Sequence, residues 1–292
     1  VRTDQELRDA VSKAKPGARI LVAPGDYEGG LHLSRVRGEA GKPVVIAAAD
    51  PKNPPVFTGG DTGLQLSEAA HVEINDLVFA GAKNNGINVD DGGKRETPTH
   101  HVVLKNLRIR DVGTTGNQDG IKLSGVDDFQ VEGCVIERWG GGGSAIDMVG
   151  CHRGVVEGCA MKHDGEGAGS GVQMKGGCAE VTVRKCRFEN AGSRAVNIGG
   201  STGLQYFRPP LGKGPHAEAR KITVEGCTFT GSDAPIAFVG VDGAVVRFNT
   251  IHAPKRWAMR ILQETTEPGF TACRGGEFTQ NIVVFRSTAW RE

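Results

Sequence analysis

The sequence predicts an all-β fold, a right-handed parallel β-helix with an N-terminal capping helix, as a single domain over residues 1–292. Three observations predict it. Glycine is abundant, 44 of 292 residues, while aromatic residues make up only 5%. One local phrase recurs as "VEGCVIE" at Cys134, "VEGCAMK" at Cys159, "VRKCRFE" at Cys186 and "VEGCTFT" at Cys227, at intervals of 25, 27 and 41 residues. Short segments of period-two alternation, separated by Gly, Asn and Asp, recur with the same spacing and read as strands. A unit of roughly 20 to 30 residues cannot bury its own apolar face, so the units must stack. A propeller blade needs about 40 residues, and a leucine-rich repeat needs a leucine and asparagine consensus that is absent here.

The elements follow in order. Residues 1–18 hold "TDQELRDAVSKAKPG", an amphipathic helix with Thr3 and Glu6 spaced as a capping box and Leu7, Ala10, Val11 and Ala14 on one face. It would plug the apolar end of the solenoid. Stacked coils occupy 19–286, beginning with "ARILVAPGDYEGG", "PVVIAAAD" and "AHVEINDLVFAG". Each later coil opens on a strand such as "DGIKLSG", "SAIDMVG", "SGVQMKG" or "RAVNIGG" and turns into a second, such as "DFQVEGCVI". Three insertions interrupt the period: "GGKRETPTHH", the long 201–220 loop, and "ETTEPGFTACRGG". Long excursions from a compact solenoid are usually functional or disordered. The closing segment "NIVVFRSTAWRE" carries no cap, which leaves room for a further domain.

Charge and cysteine usage exclude several classes. Lys and Arg number 35 against 34 Asp and Glu, so no uniform positive field exists to attract nucleic acid or an anionic membrane. No apolar run approaches the roughly 18 residues of a membrane span. The chain opens at Val1 without a signal-peptide pattern; a secreted or periplasmic location, with the signal removed, is the expectation. Seven cysteines without a CxxC pair are too few for a disulfide scaffold, and the repeated four should stack inward as free thiols. The eight histidines show no HxxxH or HExxH spacing, so no metal site is assigned.

Alternation also says what points outward. With Ile121, Leu123, Ile146, Met148, Val172, Met174, Val196 and Ile198 in the core, one outward column is Asn88, Lys122, Asp147, Gln173, Asn197, Ala237 and Arg260. A second, two residues on, is Asp90, Ser124, Val149, Lys175, Gly199, Val239 and Leu262. Neighbouring coils thus place Lys122, Asp147, Gln173, Lys175 and Asn197 close together, either as an ordinary solvated face or as a polar groove for a sugar chain. Gly-rich turns set Trp139, His163, Asp164, Glu166, Arg194, Lys255 and Trp257 on one rim. The 201–220 loop, stiffened by Pro209 and Pro210, brings Tyr206 and Arg208 to the other, as a wall or as a plain surface loop.

The opening run "ELRDAVSKAKPGARILVAPGDYEG", followed by "GKPVVIAAAD", "PPVFTGG" and "VEINDLVFAG", resembles the pectate-lyase-like β-helix proteins, most of all the chondroitinase B and alginate lyase group of polysaccharide lyases. The resemblance covers about residues 4–82 and is architectural beyond. It implies β-elimination on a uronic-acid polysaccharide, with a Lys and an Arg on successive coils. Those roles fall to Lys175 as base and to Arg194, with Lys122 as a further cation. A base lysine needs like-charge neighbours, which Lys122 and Arg194 would supply and Asp147 would oppose. Asp147, Gln173, Asn197, Trp139, His163, Tyr206, Arg208 and Arg260 are the expected substrate contacts. The sequence departs from the group in setting Arg194 early, with Asn197 or Ile198 at the expected place. The group's calcium site uses an Asn and two Glu. The corresponding face here offers one carboxylate, Asp147, with Gln173 and Asn197, so Ca²⁺ is possible but not predicted. Two alternatives stand beside the lyase: a polygalacturonase-like hydrolase, in which Asp119 of "NQDG" and Asp147 pair as acid and base, and a non-catalytic carbohydrate-binding β-helix.

Overall fold

In the computed structural model, which describes residues 1–113, 116–164 and 169–286, the chain winds through three parallel sheets. The first sheet begins at Arg19–Val22 and ends at Arg274–Thr279; the second runs from Asp26–Glu28 to Ile282–Val284; the third runs from Leu31–Ser34 to Met259–Leu262. The helix spans Asp4–Ser12, shorter than the expected 1–18, because the following "KAKPG" contains Pro16 and the positive-φ Gly17. Thr3 caps it by accepting the Glu6 N–H at 3.2 Å, and Leu7 and Val11 bury their side chains against the first coil. No helix among the described residues is long and apolar enough to cross a membrane.

Stacking identical turns forces like residues onto like, and the core shows it. Tyr27 and Phe57 stack at 5.0 Å, Phe57 and Phe79 at 5.3 Å, and Phe188 and Phe229 at 4.7 Å. Cys134, Cys159, Cys186 and Cys227 form a buried inward column, and all seven cysteines are free thiols. Each thiol of the column reaches a carbonyl of the preceding coil: Cys134 Leu104 O at 3.5 Å, Cys159 Val131 O at 3.4 Å, Cys186 Val156 O at 3.6 Å, and Cys227 Val183 O at 3.8 Å. Asn249 and Asn281 continue the column with true amide bonds, to Val224 O at 3.1 Å and Val246 O at 2.9 Å. A small donor, not a bridge, is what this corner selects.

The third sheet sets the register of the outward residues. Lys122 pairs with Asn88 and Asp147, Asp147 with Gln173, and Gln173 with Asn197. Asn197 pairs with Ala237, and Ala237 with Arg260. Val149 pairs with Lys175 in the second column. Glu218, fully buried, ties the insertions to this sheet. It accepts Gly176 N–H at 2.8 Å, Thr202 N–H at 3.0 Å, the Thr202 hydroxyl at 2.8 Å and the Thr265 hydroxyl at 2.5 Å. Phe207 and Phe270 meet edge to face at 5.3 Å, so the second and third insertions hold one another.

Candidate active-site cleft

A cleft of about 600 Å³ opens over the ends of the third-sheet strands, walled by the first two insertions. Lys122 and Lys175 rise from its floor, Asp90 and Arg95 stand at one end, and Tyr206 faces them from the opposite wall. Tyr206 lies on a short 3-10 turn, Leu204–Tyr206, and is 61% exposed.

Beneath the floor two carboxylates are buried, Asp119 at 2% and Asp147 at 1% exposure. Lys122 bonds Asp147 and lies 3.6 Å from Asp119, and Lys175 lies 3.5 Å from Asp147 Oδ1 and 3.3 Å from Gln173 Oε1. Asp119 also accepts the Ser144 N–H at 2.7 Å. Burial, and then the charge of Asp147, push Asp119 up to about 7. Burial works against the Lys122 ammonium, but Asp147 and Asp119 outweigh it and raise its pKa above the ordinary lysine value. Lys122 is therefore a fixed cation, held by two carboxylates, whereas Lys175 is held by one.

The expected site residues separate into three groups. Lys122, Lys175, Tyr206 and Arg208 line the cleft, and Asp147, Gln173 and Asn197 follow Lys122 on successive coils without lining it. Arg208 differs from expectation in its use. Its guanidinium is buried on Asp127 at 2.7 and 2.5 Å and on Gly150 O at 2.7 Å, so it anchors the 201–220 wall and is not free for substrate. Burial alone would raise the Asp127 pKa, but His152 and Arg208 hold it far below the usual carboxylate range. Asn197 is likewise buried, at 2% exposure.

Arg194, Trp139 and His163 lie on the opposite rim. Arg194 pairs with Ser170, the first residue of the Ser170–Lys175 strand, so about five rises of 3.3 Å, roughly 16 Å, separate the two positions along the strand. It bonds Glu264 at 2.7 Å. The residue beside Lys175 on the next coil is Gly199, one on from the Met174–Ile198 pair. Gly199 has φ 96°, and a Cβ there would sit 1.8 Å from Val239 O, so no arginine fits. Trp139, expected on the rim as a substrate contact, is 3% exposed within the core, its ring edge-on to His163 at 4.9 Å. His163 Nε2 pairs with Trp139 O at 2.8 Å. Arg260 sits two coils beyond Asn197, stacked over Trp257 at 4.2 Å. Glu166 falls outside the described residues.

Sequence reading missed Arg95, which comes from the insertion 92–101, and the depth of Asp119. Ca²⁺, possible but not predicted from the sequence, does not fit these residues. The one carboxylate of the set, Asp147, is already met by two ammonium groups, and Gln173 takes the Lys175 proton donor. These residues do not make a Ca²⁺ site.

Comparison with known proteins supplies the remaining findings. Residues 59–209 match the family described as the right handed beta helix region, and residues 1–103 match chondroitinase B. No curated protein sequence matches the chain. Among solved structures, an alginate lyase from Paenibacillus sp. str. FPU-7 superposes with TM-score 0.66 at 18% identity, covering 100% of this chain and 98% of that one. A mutant of the alginate lyase AlyGC gives 0.63 at 13% identity, over 95% of this chain and 40% of that one. Pectate lyase Pel9A gives 0.55 at 14%, over 92% and 73%. Identities this low speak for the fold alone.

Proposed function

The chain belongs to the right-handed β-helix family, and from that premise we propose that it is a polysaccharide lyase that cleaves a uronic-acid-containing polymer by β-elimination in the third-sheet cleft. One observation carries the reading: two lysines open onto the same cleft, and only one of them is locked by paired carboxylates. Elimination needs a cation on the substrate carboxylate, a base for the adjacent proton, and a proton for the leaving oxygen. Lys122, with Arg95, supplies the cation. Lys175 is the base. The leaving oxygen takes its proton from the facing wall, where Tyr206 presents an exposed phenol. The likeness to alginate and pectate lyases favours a uronate polymer, met by a secreted or periplasmic protein.

The hydrolase alternative needs Asp119 and Asp147 to reach a glycosidic bond. Both are buried under Lys122, and neither lines the cleft. The test is a panel of alginate, pectate and glycosaminoglycans followed by the ultraviolet absorbance of the unsaturated uronate. Absorbance rising on one polymer supports the lyase. Binding without product on every polymer would replace it with a carbohydrate-binding groove.

A further inference from the structure

Linear spacing gives the histidines no metal motif, yet the coil gathers three of them on the outer face of the first sheet. His71 lies in the strand Ala70–Asn75, and His100 and His101 in the adjacent strand Thr99–Lys105. Ala70 pairs with His100 and Val72 with Val102, so His71 and His101 stand opposite each other between the same two rungs, one on each strand. Both have positive φ, 52° and 55°. A left-handed residue inside an extended strand turns the chain and breaks alternation. Thr99 and Val102 are buried while His100 and His101 both lie toward solvent; strict alternation would have sent one of the pair inward.

One nitrogen from each imidazole lies within 4.8 Å of the other two, and Nδ1 of His100 is 2.9 Å from Nδ1 of His101. Two nitrogens that far apart, each at the roughly 2.05 Å of a zinc–imidazole bond, would subtend about 90° at a shared ion, within the range of transition-metal coordination. The His71 and His101 rings are 4.4 Å apart. Asp128 and Glu39 act electrostatically on His100 and His71, and Asp128 is itself held by Arg153 at 2.8 Å.

We propose that His71, His100 and His101 bind one divalent transition-metal ion of the Zn²⁺, Ni²⁺ or Cu²⁺ class, with water completing its shell on the exposed His101 side. Three imidazoles suit such borderline ions and offer nothing that oxygen-seeking Ca²⁺ or Mg²⁺ prefers. The ion would clip two early coils together. It lies on the first sheet, apart from the third-sheet cleft.

Calorimetric titration of tag-free, metal-stripped protein with Zn²⁺, in excess Ca²⁺, tests this. One Zn²⁺ per chain is expected, with a raised melting temperature. His101→Gly should weaken binding more than about 100-fold, since losing an outer partner alone costs 10- to 100-fold. That variant should fold, because Gly243 and Gly275 hold the equivalent left-handed position on later coils. His71→Ala should give the same loss. Cys273, a half-buried thiol, is the rival ligand, and Cys273→Ser should bind as the parent does. Absence of stoichiometric binding, full binding by His101→Gly, or loss of binding in Cys273→Ser would each overturn the site.

Discussion

The outer faces of the first and third sheets share one coil spacing, yet their charges sit in different media. On the first sheet Lys105 and Glu132 pair at 3.0 Å with side chains 42% and 44% exposed, and Arg247 and Glu225 pair at 3.0 Å with 45% and 29%. On the third, Lys122 is 20% exposed, Lys175 17% and Asp147 2%. The insertions that wall the third sheet make the difference. Exposed ladder pairs contribute about 0–1 kcal/mol each. A buried charge cluster costs desolvation that its own pairing only partly offsets. The first sheet holds a buried ion pair too, Asp127 under Arg208, but that pair fastens a loop, whereas Lys122 and Lys175 open onto the cleft.

Charge removal sharpens the contrast most. Lys122→Met leaves two adjacent buried carboxylates with one fewer cation, and should destabilise the protein by about 3 kcal/mol at neutral pH. The loss should shrink toward pH 5 as Asp119 takes up its proton, which denaturant unfolding at several pH values will measure. An equal loss from Lys105→Met on the first sheet would break the comparison.

Next in size is Asp119→Asn. Because Asp119 has its pKa raised to about 7 in the folded state, the native protein binds the extra proton between the ordinary carboxylate value and about 7. Stability therefore falls as pH rises through that window. The amide removes this penalty and can still accept the Ser144 N–H. The variant should gain on the order of 2 kcal/mol at pH 8 and nothing at pH 3. A gain independent of pH would mean that Asp119 does not titrate there. Smallest is Glu132→Ala, for which a change under about 0.5 kcal/mol is expected on the open sheet.

Period and alternation made the scaffold legible. The outward column from Asn88 to Arg260 falls into register residue by residue, because a coil repeats the same contacts and one misplaced side chain would face the core. Depth was not legible. Asp147 reads as outward and is outward, but it lies under the side chains of Lys122 and Lys175, between insertions anchored by Arg208 on Asp127 and by Glu218. Turn conformations also escaped. The Gly-rich turn before "SAIDMVG" turned Trp139 inward, and the shorter turn at "ENAGS" left Arg194 at the start of its strand. The His71, His100 and His101 group was invisible to motif spacing because a whole coil separates its members along the chain and a single rung separates them in space.

In the proposed reaction the buried cluster presents Lys175 as a base beside a fixed cation. The most direct measurement is the rate of unsaturated-uronate formation by Lys175→Ala on whichever polymer the parent protein cleaves, alongside its melting temperature. The expected rate is below about one hundredth of the parent's, since losing a general base typically costs 10²-fold or more, with a stability loss smaller than that of Lys122→Met because Asp147 keeps its bond to Lys122. Lys175→Arg should fail as well, as a guanidinium stays protonated. A Lys175→Ala protein that folds and keeps more than about a tenth of the rate would contradict the assignment.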